Sequence, residues 1–96
     1  MSVLLTVRIR ALRGRGGDLV ELLGTASPED TIDGCFAISV FQNTNDPDEV
    51  VIIERWDQVE SHKQFLASLE DAGALKPMQE ISESVTRQYF TEIGND

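Results

Sequence analysis

The sequence predicts an α+β fold in which helices cover one face of a four-stranded antiparallel sheet. Residues 50–53 are four consecutive β-branched residues, which is typical of a strand buried on both faces. After Trp56 the apolar residues recur at spacings of three and four, which indicates an amphipathic helix. Near the two ends of the chain, residues 3–10 and 84–93 show the period-two pattern of half-buried strands.

The first strand is followed by a glycine-rich turn and a helix. Residues 13–17, RGRGG, permit a turn but sustain neither a helix nor a strand. A phosphate-binding loop is the alternative, which we disfavour because the spacing matches neither common phosphate-loop pattern. Asp18 is the predicted N-cap of the helix, and Ser27 with Pro28 marks a second helical start. The apolar stripe of this helix comprises Leu19, Leu22, Leu23 and Ala26.

Two further strands are predicted in the middle of the chain, Cys35–Gln42 and Glu49–Trp56. Strict alternation in the first would place Cys35 on the face opposite Phe36 and Val40, and both faces are largely apolar. The acidic segment between them, NTNDPDE, is typical of a solvated hairpin loop. A calcium site is the alternative, but the spacing of an EF-hand loop is missing.

The helix after Trp56 is predicted to begin at Asp57, with Glu60 completing a capping box. Gly73 is its predicted C-terminal stop, and a shorter helix is expected near Pro77. On the preceding strand, Arg55 lies on the face opposite Trp56, where an ion pair is its favoured role. The apolar stripe of the long helix comprises Val59, His62, Phe65, Leu66 and Leu69.

Composition restricts the class of function. Eight basic and seventeen acidic residues give a formal charge of −9, which would repel nucleic acid and anionic membranes. Cys35 is the sole cysteine, so no intramolecular disulfide is expected, and a cytoplasmic location is predicted. One His, one Cys and carboxylates without ligand spacing predict no metal site.

The order of elements, β-α-β-β-α-β, predicts a single ferredoxin-like domain over residues 1–96. Two helices can cover only one face of the sheet, whereas the two middle strands are apolar on both sides. An exposed apolar sheet face of this size argues for a partner, so we expect a homodimer that forms a dimeric α+β barrel. Which sheet face meets the partner is not decided by the sequence.

Candidate site residues gather where the strand Glu49–Trp56 meets the following helix. Trp56 and His62 are the sole tryptophan and histidine, and one pocket could hold both. Each has a structural alternative: Trp56 as a core residue with a satisfied N–H, and His62 as a hydrogen-bonded border residue. Tyr89, the sole phenol, could reach either the pocket or the dimer interface. Pairing Cys35 with His62 as a nucleophile is disfavoured because no third group orients it.

The chain resembles the antibiotic biosynthesis monooxygenase family of small dimeric α+β barrels. The resemblance rests on Asp33-Gly34-Cys35 before a strand, on the acidic loop with Pro47, and on residues 54–57, ERWD, before a helix. It implies oxidation of small aromatic or quinol substrates by O₂ without metal or flavin. Other members of the family degrade haem or act on signalling molecules.

The motifs of the family carry over in part. Its strand-end glutamate and tryptophan are present as Glu54 and Trp56. The histidine that many members place on the helix is Phe65 here, and the amide and phenol of some catalytic members are replaced by Ile52 and His62. Haem-degrading members also need a helix tryptophan and a later histidine that this chain lacks, so haem degradation is not expected.

The resulting expectation is a cofactor-independent monooxygenase that acts on a small apolar, aromatic or quinol molecule, with no cofactor. His62 would be the proton-transfer group, and the substrate-binding wall would comprise Trp56, Phe65, Ile52 and Tyr89. The alternative is a non-catalytic dimer of the same fold that binds a small molecule or a partner protein.

Overall fold

The computed structural model describes residues 2–24 and 32–94. The predicted second helical start at Ser27 and Pro28 lies outside these residues, as does Ala26. The described elements are β1 (Val3–Ala11), α1 (Gly16–Leu23), β2 (Cys35–Gln42), β3 (Glu49–Trp56), α2 (Val59–Asp71), α3 (Lys76–Glu80) and β4 (Ser82–Thr91).

The four strands form one antiparallel sheet in the order β2-β3-β1-β4. This is the ferredoxin-like arrangement that the sequence predicted, with β1 and β3 at the centre and β2 and β4 at the edges. The bounds of β2 and β3 are those expected from their apolar patterns.

The hydrophobic core lies between the helices and one face of the sheet. The buried residues of β1 are Leu5, Val7, Ile9 and Ala11, and on β3 Val50, Ile52 and Trp56 are buried on the same face. Leu19 of α1, His62 of α2 and Met78 of α3 are the buried residues that the helices add, besides Gly16. We call this the helix face, and the opposite side of the sheet the open face.

The open face is only partly covered. It carries Leu4 and Thr6 of β1 and Val51 and Ile53 of β3, all partly exposed. Register places the phenyl groups of Phe41 and Phe90 on this face at the edge strands, 56% and 47% exposed. The apolar surface that the sequence predicted to lack a cover is therefore on the side away from the helices.

Two predictions about helix starts are wrong. The N-cap of α1 is Arg15 rather than Asp18, whose carboxylate instead accepts a hydrogen bond from Arg15 Nε at 2.7 Å. The N-cap of α2 is Gln58 rather than Asp57, without a side-chain capping bond. Gly73 follows the end of α2 with φ +71°, as the predicted stop requires.

Cys35 also differs from its predicted position. Cys35 pairs with Trp56, but Ala37 already pairs with Arg55, so one extra residue, Phe36, forms an irregularity in β2. This shift places Cys35 in the buried core beside Trp56 rather than on the open face. The period-two pattern could not show it, because both faces of this strand are apolar.

The glycine turn and the acidic loop bind each other. The backbone N–H groups of Gly14 and Gly16 donate to the two carboxylate oxygens of Asp48, at 3.0 and 2.9 Å. Gly16 is required here, because a Cβ atom would lie 1.8 Å from the carbonyl oxygen of Pro47. The turn that resembled a phosphate loop thus holds a carboxylate of the same chain.

Candidate functional site

The start of α2 is held against the sheet by the segment that precedes β2. Gly34 has φ +82°, and a Cβ atom there would lie 2.6 Å from the carboxylate of Asp57 and 2.8 Å from Ser61. The backbone N–H of Asp57 donates to the Gly34 carbonyl oxygen at 2.9 Å. This close approach fixes where the first turns of α2 lie, and with them His62 and Phe65.

Four aromatic rings meet where α2 covers β3 and β4, and we call them the aromatic cluster: Trp56, His62, Phe65 and Tyr89. The Trp56 ring centroid lies 5.3 Å from that of His62 and 5.7 Å from that of Phe65. The rings of His62 and Tyr89 are 5.5 Å apart in an edge-on arrangement. Four of the five predicted site residues are therefore brought together.

The fifth predicted residue, Ile52, belongs to the hydrophobic core that also contains Trp56. It lies on the helix face, 8% exposed, between Val40 of β2 and Val7 of β1. Its position is two residues before Glu54, on the same face of β3. The structure shows it as part of the core beside the cluster.

A hydrogen bond joins the two polar rings of the cluster. His62 Nδ1 and the Tyr89 hydroxyl oxygen are 2.6 Å apart, and which of them donates depends on the tautomer of the imidazole. His62 is 4% exposed, whereas Tyr89 is 37% exposed and lies on the edge strand β4. The contact with Tyr89 uses Nδ1 of His62 and not Nε2.

Burial keeps the imidazole uncharged. It lowers the pKa of His62 from 6.5 to about 4, and the positive charge of Arg87 acts in the same direction. Burial also raises the pKa of the Tyr89 phenol, with the charges of Glu54 and Glu60 adding to the effect and that of Arg87 opposing it. At neutral pH the pair is therefore a neutral histidine beside a neutral tyrosine.

Glu54 is a polar residue of the site that sequence reasoning left without a role of its own. Its carboxylate Oε1 accepts a hydrogen bond from Trp56 Nε1 at 2.8 Å, so the indole N–H is satisfied, as in the structural alternative for Trp56. Burial raises the pKa of Glu54, while this hydrogen bond and the charge of Arg87 oppose the increase. The shared strand face of Glu54 and Trp56 was the signal for this contact.

Arg87 is the second residue that sequence reasoning missed. Register pairs it with Val7, which places it on the helix face of β4, two residues before Tyr89. Its charge acts on the pKa of Glu54, His62 and Tyr89 together. The period-two pattern of residues 84–93 assigned Arg87 and Tyr89 to one face, and that shared face is the signal that could have found it.

The Cys35 Sγ lies 3.8 Å from the carbonyl oxygen of Ala37, and Nδ1 of His62 is engaged by Tyr89. Within residues 2–24 and 32–94, no group of three or more His, Cys, Asp and Glu side chains is arranged to hold a metal ion. In the same residues, no helix is long and apolar enough to cross a membrane.

Comparison with solved structures finds the same fold in other proteins. A candidate antibiotic biosynthesis monooxygenase from Chloroflexus aurantiacus is 28% identical, with a TM-score of 0.77 over 100% of this chain and 97% of the other. A variant of SnoaB, a cofactor-independent oxygenase from Streptomyces nogalater, is 15% identical, with a TM-score of 0.81 over 98% and 95% of the two chains. At this identity SnoaB supports the fold alone.

No curated protein matches the chain. The family model described as "Antibiotic biosynthesis monooxygenase" matches residues 2–76, which include β1 to α2 and three of the four cluster residues. The match covers more than half of the sequence and agrees with the strand-end Glu54 and Trp56, and the chain therefore belongs to the antibiotic biosynthesis monooxygenase family.

Proposed function

We propose that the protein is a cofactor-independent monooxygenase that acts on a small aromatic or quinol-type substrate. The observation that carries the proposal is the hydrogen bond between His62 and Tyr89 inside an aromatic cluster. It combines two groups that can move a proton with apolar rings that can pack against an aromatic substrate.

In this chemistry the substrate supplies the electrons. A phenolic O–H loses its proton, the anion transfers an electron to O₂, and the two radicals combine to a peroxide. Protonation of the peroxide and loss of water leave a quinone, so one oxygen atom enters the ring and the other leaves as water. The protein has to position the ring, exclude water and move protons.

His62 and Tyr89 have different parts in this scheme. With a pKa of about 4, His62 is neutral at physiological pH and accepts the substrate proton only transiently. The raised pKa of Tyr89 keeps its hydroxyl protonated, so it is the donor for the peroxide. Phe65 and Trp56 form the apolar wall beside them.

O₂ uptake with a panel of quinols tests this proposal. General acid–base catalysis typically contributes roughly 10²–10⁴-fold, so His62→Phe should lower turnover by about that factor while native mass and circular dichroism are retained. Unchanged turnover in a folded His62→Phe variant would remove His62 from the mechanism.

A non-catalytic role as a small-molecule-binding or partner-binding dimer is the second candidate. Two observations favour it: Ile52 is a buried core residue where some catalytic relatives have an amide, and Nδ1 of the buried His62 is already satisfied. Under this candidate an aromatic ligand shifts the fluorescence of Trp56, the sole tryptophan, and no quinol supports O₂ uptake.

We also propose that the protein is a homodimer that packs open face against open face. The support is the row of partly exposed apolar residues Leu4, Val51 and Ile53, flanked by the phenyl groups of Phe41 and Phe90. Light scattering should give a mass of twice the 10.7 kDa of the chain. A monomeric mass at micromolar concentration would contradict the barrel.

A further inference from the structure

The arginines of the sheet differ in how they are paired. The three on the open face form ion pairs: Arg8 with Glu49, Arg10 with Asp46, and Arg55 with Glu92. The remaining one, Arg87, lies on the helix face. It forms no ion pair with any carboxylate among residues 2–24 and 32–94, although the chain has seventeen acidic residues.

The position of Arg87 is at the accessible side of the aromatic cluster. Trp56 and His62 are buried, but Tyr89, two residues along β4, is partly exposed, and so is Phe65 of α2. Arg87 itself is exposed. A ligand that reaches the cluster from solvent therefore passes Tyr89, Phe65 and the guanidinium of Arg87.

We propose that Arg87 binds an anionic oxygen group, a phenolate or a carboxylate, on the aromatic substrate of this site. The inference rests on the proposed function in taking that substrate to be aromatic, and it adds the charge of the group that is recognised. A guanidinium presents a planar set of N–H donors that can bind both oxygens of a carboxylate or the single oxygen of a phenolate. The ammonium group of a lysine does not have this planar arrangement of donors.

The negative charges near the site restrict where the anion can lie. Glu54 faces the cluster from β3 and Glu60 from α2, and the charges of both act on Tyr89. Glu54 lies two strands away from β4, and two strand spacings amount to about 10 Å. Its Oε1 is also turned toward the Trp56 indole. The anionic group is therefore expected on the Arg87 side of Tyr89, with the ring toward Phe65.

A matched pair of ligands separates charge from shape. 1-Naphthoate and 1-naphthamide have the same ring and differ in charge, and their binding can be followed by the indole N–H resonance of Trp56, the sole tryptophan. A hydrogen-bonded charged contact corresponds to roughly tenfold to a hundredfold in Kd. Arg87→Gln should weaken naphthoate binding by that factor and leave naphthamide unchanged, with Arg87→Lys between the wild type and Arg87→Gln.

Arg13→Gln is the control, because it removes one positive charge from the exposed turn before α1, outside the sheet, and should leave both ligands unaffected. Three results would each overturn the proposal: Arg87→Gln weakens the binding of both ligands equally, Arg13→Gln weakens naphthoate binding as much as Arg87→Gln does, or the wild type binds the two ligands with equal affinity. Binding of 4-nitrophenol distinguishes a phenolate from a carboxylate as the anionic group. If the site binds a phenolate, the visible absorption band of 4-nitrophenolate should appear at a lower pH with the protein than in free solution.

These measurements need no turnover, so they stand apart from the oxygenase assay. If no quinol supports O₂ uptake but naphthoate binding depends on Arg87, the oxygenase proposal fails and the anion site remains. If quinols are turned over and Arg87→Gln binds naphthoate like the wild type, the anion site fails and the oxygenase proposal remains.

Discussion

Lowering the pH from 7 to 5 should destabilise the fold through His62. The folded chain holds the imidazole at a pKa of about 4, because it is buried and Arg87 is positively charged, whereas the unfolded value is 6.5. Above pH 6.5 the imidazole is neutral in both states. Between pH 6.5 and about 4 the unfolded chain binds a proton that the folded chain excludes, so the free energy of unfolding decreases as the pH falls.

The magnitude follows from the two pKa values. Taking 6.5 and about 4, the free energy of unfolding falls by about 2 kcal/mol between pH 7 and pH 5. Urea unfolding at both pH values measures it, and His62→Phe should remove this part of the pH dependence. Wild type and variant carry the same carboxylates, so the difference between the two proteins isolates the imidazole.

The sole histidine also gives a direct measurement. Its imidazole C–H resonances should titrate near pH 4 in the folded protein, and Tyr89→Phe should move their positions by removing the partner of Nδ1. A midpoint near 6.5, or the same pH dependence of stability in wild type and His62→Phe, would refute the reasoning from burial.

The two faces of β3 and the glycine turn give further predictions. Ile53→Lys, on the open face, should leave the fold intact and shift the native mass measured by light scattering toward monomer. Ile52→Lys buries a charge in the core and should lower the free energy of unfolding, measured in urea, by several kcal/mol. A dimeric Ile53→Lys protein would argue against the open-face interface. Gly16→Ala should lower the free energy of unfolding by about 1–3 kcal/mol or more, because its Cβ atom meets the backbone of Pro47. Gly17→Ala has no atom within 4 Å of its Cβ, so the free energy of unfolding should stay the same or rise slightly. Equal stability of these two variants would show that the turn relaxes.

Local patterns in the sequence were enough to predict the strands and the face of α2. The run of β-branched residues predicted β3 with its observed bounds, and the spacing of His62 and Phe65 predicted that both face inward. These features depend on side chains close in sequence, whose period of two or of 3.6 determines which share a face. The fold class and the family followed from the order of the elements and from short motifs.

Contacts between distant segments were decided by the tertiary structure alone. The irregularity at Phe36 buries Cys35, and no period shows it because both faces of β2 are apolar. The hydrogen bond of His62 to Tyr89 joins residues 27 apart, and the position of Arg87 beside them depends on β4 pairing with β1. A sequence records the period of each segment but not the register between segments, and register is what brings the buried imidazole of His62, the phenol of Tyr89 and the guanidinium of Arg87 to one end of the core.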